Sequence, residues 1–139
     1  MKRIFVESDI ILDLMLEREP FFNSAAELFY LIEKKKIKAS VSALHFSNLH
    51  YIIRKVKSSE LAKSVLRKLA IIVNILSIDE KAIELALESD FPDFEDAIQY
   101  YACLDNDIDV IVTRNKKDYK TGKLPVMSAE EYLAALKSK

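Results

Sequence analysis

The sequence predicts an α/β fold, with a central parallel sheet of about four or five strands and helices on both faces. Two observations carry this: short apolar, β-branched runs alternate with longer stretches of helical period, and the alternation persists from one end to the other. A length of 139 residues, half of them hydrophobic, is enough for one well-buried core and too short for two ordinary domains. A single domain over residues 1–139 is therefore expected.

Arg3 to Val6 (RIFV) reads as the first strand, and Asp9 to Leu16 follows with apolar residues at helical spacing. Arg18, Glu19 and Pro20 then break the chain before a long amphipathic helix, Phe21 to Lys35, with Ala25, Leu28, Phe29 and Ile32 inward. Ile37 to Val41 is a second short strand. Ser42 is suited to cap a helix over Ala43 to Lys55 that turns Leu44, Leu49, Ile52 and Ile53 inward. A further helix runs from Ser59 to Leu69 or slightly beyond, and the run IIVNILSI at 71–78 should contain the third strand. Asp79 to Leu87 suits a helix, Pro92 punctuates, and Asp93 opens another helix through Leu104. Asp109 to Thr113 (DVIVT) is the most strand-like segment. A polar loop from Arg114 to Lys123, an apolar step at Leu124-Pro125-Val126 and a helix capped by Ser128, with Glu131 three residues on, complete the chain. No internal repeat or low-complexity tract interrupts this order.

Composition removes several kinds of chemistry. The single cysteine, Cys103, and two histidines cannot build a four-ligand zinc site or an internal disulfide. The lone glycine, Gly122, leaves no GxGxxG, GxxxxGKS or GxSxG, so dinucleotide binding, P-loop chemistry and a hydrolase nucleophile elbow are excluded as leading readings. Twenty-one basic residues against 22 acidic ones describe a mixed-sign surface that argues neither for nor against nucleic acid. No apolar run approaches the roughly 20 residues of a membrane span, and Glu7, Ser8, Asp9 and Asp13 interrupt the N-terminal apolar stretch, so no signal peptide is expected. A cytoplasmic location follows as an expectation.

What remains is acidic side chains at strand ends, where open parallel sheets bind ligands. The first strand ends in Glu7-Ser8-Asp9, and the strand at DVIVT runs into Thr113-Arg114-Asn115 with Asp118 soon after. Asp93 and Asp96 are i and i+3 at the start of a helix, so their carboxylates share a face while Phe94 and Glu95 point elsewhere. Converging carboxylates repel one another unless something cationic sits among them, and hard oxygen donors suit Mg²⁺ or Mn²⁺.

The blocks RIFVESDIILDL, DFEDAIQYYA and DVIVTRNKKDY resemble, in order and spacing across nearly the whole chain, the signature blocks of PIN-domain nucleases. That family includes the toxin halves of bacterial toxin–antitoxin pairs. The resemblance implies a Rossmann-like PIN fold, an acidic pocket holding Mg²⁺ or Mn²⁺, and hydrolysis of RNA to 5′-phosphate and 3′-hydroxyl ends. It also implies RNA as substrate, an inhibitory antitoxin protein as partner, and a homodimer. Carried over by position, Glu7 stands where the pattern has its first aspartate, with the carboxylate one methylene further out, and Asp9 where an asparagine often follows. Asn48 occupies the place of the second acid, Asp96 is the third with Asp93 its companion, and Asp118 is the fourth. Glu7, Asp96 and Asp118 are thus the catalytic candidates, and with Asp93 the metal candidates. Asp9, Asn48, Thr113 and Asn115 line the pocket, while Lys116, Lys117 and Arg54 are the basic positions assigned to RNA.

Each position also has a structural explanation. Asp93 can be a helix cap and Asp96 a complement to the helix dipole. Thr113, Asn115 and Asp118 can be turn residues. Asp13, four residues after Asp9, is read as structural or as a support behind the pocket residues, His45 and His50 as core or surface histidines, and Cys103 as a small apolar residue. The lysines at 34–36 suit a solvated helix end. The alternative to a nuclease is a PIN-fold module that binds RNA or protein without cleaving, motivated by Glu7 and Asn48. A receiver-like phosphoacceptor domain fits less well, since neither Asp96 nor Asp118 ends a central strand.

Overall fold

A computed structural model describes residues 2–138, so the expected domain range extends one residue beyond the described chain at either end. Among these residues the strands β1 (Arg3–Val6), β2 (Lys38–Ser42), β3 (Asn74–Leu76), β4 (Val110–Val112) and β5 (Val126–Met127) form one parallel sheet in the order β3-β2-β1-β4-β5. Seven helices accompany them: α1 (Ser8–Met15), α2 (Phe22–Glu33), α3 (Ala43–Val56), α4 (Ser59–Ile72), α5 (Glu80–Leu87), α6 (Phe94–Asp105) and α7 (Ala129–Lys137). Among the described residues no helix is long and apolar enough to cross a membrane.

Alternation along β1 sends its side chains to two cores, as the two-residue repeat of a strand requires. Ile4 and Val6 join Ala39, Val41, Val110 and Val112 against residues of α1, α2, α3, α4 and α7. Phe5 and Ile111 pack on the other face with Tyr100 and Cys103 of α6 and with Tyr119. All of these strand residues are buried, so β1, β2 and β4 are the interior of the sheet.

Side-chain caps start most of the helices. Ser42, Ser58, Asp79 and Asp93 each accept the backbone N–H three residues on, and Ser128 with Glu131 closes a full capping box. The cap at Ser42 also fixes the phase of α3. Positions 45, 49 and 53 then face the core, so His45 is buried and the expected inward Leu44 is only half-buried. The apolar period carries α4 slightly beyond Leu69, on to Ile72, which leaves three residues for β3 within the expected run, and the polar loop after β4 contains a 3-10 turn at Lys116–Tyr119 that was not expected.

That loop is pinned by Tyr100 of α6. Lys123 donates its backbone N–H to the Tyr100 hydroxyl at 2.8 Å, and Gly122 lies on the Tyr100 ring so closely that a Cβ there would stand 2.3 Å from it. Only glycine allows this approach.

Candidate acidic active site

β1 and β4 end side by side. Val6 pairs with Val112, and the Glu7 N–H donates to the Val112 carbonyl at 3.0 Å. The strand order turns about β1 at this point, which is where open α/β sheets place their ligands. Helices α1, α3 and α6 all begin at this edge, so the positive ends of their dipoles face whatever carboxylates gather there.

Glu7 is the N-cap residue of α1, but its carboxylate does not cap the helix. Instead Oε1 accepts the hydroxyl of buried Tyr119, and Oε2 lies 3.5 Å from Nε2 of His45. Burial pushes the Glu7 carboxyl up to about 8, with Asp9 and Asp96 adding to the effect and the Tyr119 bond opposing it. Burial also lowers His45 to about 4, so the imidazole is neutral near pH 7 and the contact is not a pair of opposite charges. The Tyr119 phenol is pushed up, first by burial and then by the charge of Glu7.

Asp9 faces the turn after β4. Its Oδ2 accepts from Thr113 Oγ1 at 3.1 Å, from the Arg114 N–H at 3.0 Å and from Asn115 Nδ2 at 3.3 Å. Oδ1 is buried and has no partner among the described residues. Burial raises the Asp9 carboxyl, and the bonds from the Arg114 N–H and the Thr113 hydroxyl hold it back.

Across the crevice Asp93 caps α6, taking the Asp96 N–H on Oδ1 at 2.9 Å. Asp96 is raised to about 7 by burial and then by Asp93, Asp118 and Glu95. A cavity of about 210 Å³ is lined by Asp93, Asp96 and Asp118 together with Pro92, Lys117 and Lys120. The acids after β1, at the start of α6 and in the 3-10 turn therefore belong to one neighbourhood. Among the described residues, however, no three Asp, Glu, His or Cys side chains are grouped so that they could hold a metal ion. The reason is local: Glu7 is turned onto Tyr119, Asp9 onto the turn after β4, and Asp93 onto its own helix.

Other candidates lie differently from expectation. Asn48 donates to Glu95 Oε1 at 2.8 Å, so Glu95 does not point elsewhere but joins the rim between α3 and α6. Lys116 is committed to Glu131, its Nζ lying 2.9 and 3.0 Å from the two carboxylate oxygens. Arg54 is not brought to the acids. It lies near the far end of α3, 12 residues beyond Ser42 or about 18 Å along the axis, beside the Tyr51 ring. Asp13 is fully buried, as a structural residue should be, with Arg114 donating from Nε at 2.8 Å and from Nη2 at 2.9 Å. Tyr119 and the Glu7 contact of His45 were not anticipated. The one available signal for Tyr119 was a large aromatic directly after Asp118 in an otherwise polar loop.

No curated relative matches the sequence. Solved structures do, at identities that speak for the fold. The Rickettsia felis VapBC2 structure, bound to a DNA fragment from its promoter, matches with a TM-score of 0.67 at 16% identity, covering 89% of this chain and 96% of that one. A toxin–antitoxin complex from Klebsiella pneumoniae gives 0.68 at 18% identity, with 91% and 97% covered. The Mycobacterium tuberculosis toxin VapC20, described as cleaving the sarcin-ricin loop, gives 0.63 at 16% identity, with 78% and 86% covered. The family model for the PIN domain matches residues 3–117, most of the chain, and with the sheet order and acidic strand ends described above this chain belongs to the PIN-domain family.

Proposed function

We propose that this protein is an endoribonuclease that hydrolyses RNA phosphodiester bonds, and that Glu7, Asp96, Asp118 and Asp93 are the residues that would hold Mg²⁺ or Mn²⁺ once their side chains turn toward the shared crevice. One observation carries the reading: carboxylates from three separate segments gather at one strand edge, and among the described residues none of these four, nor Asp9, forms an ion pair with lysine or arginine. Hard oxygen donors and the orphaned buried Oδ1 of Asp9 suit a small divalent cation. Such an ion supplies the positive charge that lowers the pKa of water and offsets charge on phosphate oxygens.

The chain's own groups do the rest. Tyr119 and His45 orient the two oxygens of Glu7, while Thr113 and Asn115 orient Asp9. Lys117 and Lys120 line the same cavity as Asp96 and draw an anionic backbone toward it. The toxin–antitoxin complexes among the similar structures support a toxin role and an antitoxin partner; a cytoplasmic location and a homodimer belong to the same proposal.

Pure protein with Mn²⁺ should cleave single-stranded or structured RNA, and Asp96→Asn should slow cleavage by about 100-fold or more. Unchanged cleavage by that variant would refute the proposal. The neutral Asn48, already bonded to Glu95, favours one other reading, a PIN-fold module that binds RNA or protein without cutting. Calorimetry that detects no Mg²⁺ or Mn²⁺ binding would select it.

A further inference from the structure

Arg114 belongs to two places at once. Its backbone N–H donates to Asp9 in the acidic site, while its guanidinium lines a separate cavity of about 310 Å³. That volume falls at the lower end of small-molecule sites, which span about 300–1,000 Å³. The guanidinium is fixed on both sides of its function: buried Asp13 holds Nε and Nη2, and the Phe21 ring lies 4.0 Å from Cζ. Ile10 and Ala129 supply apolar walls, and Ser24, Ser128 and Glu130 supply polar groups.

We propose that this cavity is a nucleobase pocket that takes an unpaired base of the RNA strand whose phosphate lies at the acids. The proposal rests on the RNA-cleaving reading and adds the element that would choose the cleavage position. A flat guanidinium backed by an aromatic ring is a stacking platform, and unpaired RNA bases stack on arginine planes and aromatic rings. The charge balance selects the base rather than a phosphate. Asp13 is answered by Arg114 and by Arg18 at 3.4 Å, and Glu130 adds a further negative group. A carboxylate accepts hydrogen bonds from amino-bearing base edges. Uracil offers it one N–H between two opposing carbonyl oxygens. Guanine, adenine and cytosine are thus favoured over uracil.

Titration of the full chain with each ribonucleoside 5′-monophosphate, followed by NMR, tests this without reference to activity. The expected result is movement of the Ser24 and Ala129 amides by an amino-bearing nucleotide, with UMP binding about tenfold weaker. Ser24→Phe, which fills the cavity, should abolish the movement, and the exposed Glu130→Gln should remove the discrimination against UMP while the fold is kept. Cleavage of RNA by the wild type with unmoved cavity resonances would overturn the pocket and leave the nuclease reading intact. Cavity binding without cleavage in either ion would support the pocket and sink the nuclease reading. Shifts that survive Ser24→Phe, or that a peptide but no nucleotide produces, would overturn the proposal.

Discussion

Glu7 and Asp13 stand near opposite ends of α1, both with nearly buried carboxylates, at 13% and 1% side-chain exposure, and their surroundings are opposite in kind. Asp13 meets two guanidiniums, one of them through a paired fork of hydrogen bonds. Glu7 meets a tyrosine, a neutral histidine and two other acids. A buried charge that serves the fold is fully paired, because an uncompensated one costs several kcal/mol. A carboxylate left without a cation, among others of the same sign, is set apart for something the chain does not itself supply.

Removing Asp13 tests one side of this contrast. Asp13→Ala strands Arg114 and Arg18 and should cost about 3 kcal/mol, at the low end for buried pairs because both arginines are partly exposed. Urea denaturation measures it, and a loss well under 1 kcal/mol would show that the pair does not hold the fold. The opposite sign is expected at the other end of the helix. Glu7→Gln keeps a hydrogen-bonding neutral group where the charged form is disfavoured, so it should stabilise by about 1 kcal/mol while RNA cleavage falls. Destabilisation by that change would mean that Glu7 is an ordinary structural acid.

The same contrast can be read in pH. The folded chain retains protons on Glu7 up to about 8 and on Asp96 up to about 7, whereas the unfolded chain releases them near 4.5 and 3.8. Folding therefore takes up protons in this window, and stability falls as pH rises through it. Mn²⁺ should raise the thermal midpoint more at pH 9 than at pH 6, because ionised acids bind it better. Equal midpoints with and without Mn²⁺ at both pH values would remove the cation from the account.

The sheet was legible because its interior strands are short apolar runs and its helices begin at recognisable caps, Ser42, Asp79, Asp93 and Ser128 among them. The acids at 7, 93, 96 and 118 were legible for the same reason: they stand just beyond strands or at helix starts. Glu95 was misread because helical spacing gives the direction of a side chain from its own axis and is silent about Asn48 on a neighbouring helix. Arg54 was assigned to RNA by charge alone, although the length of α3 carries it away from the strand ends.

Local sequence thus determined the elements, their order and which edge of the sheet would be acidic, since caps and apolar period act within a few residues. Tertiary structure alone decided which carboxylates were neutralised and which were not. Arg114 reaches Asp13 across 101 positions, and Tyr119 reaches Glu7 across 112. Burial and charge compensation depend on distance in space, and no pattern along the chain encodes that distance.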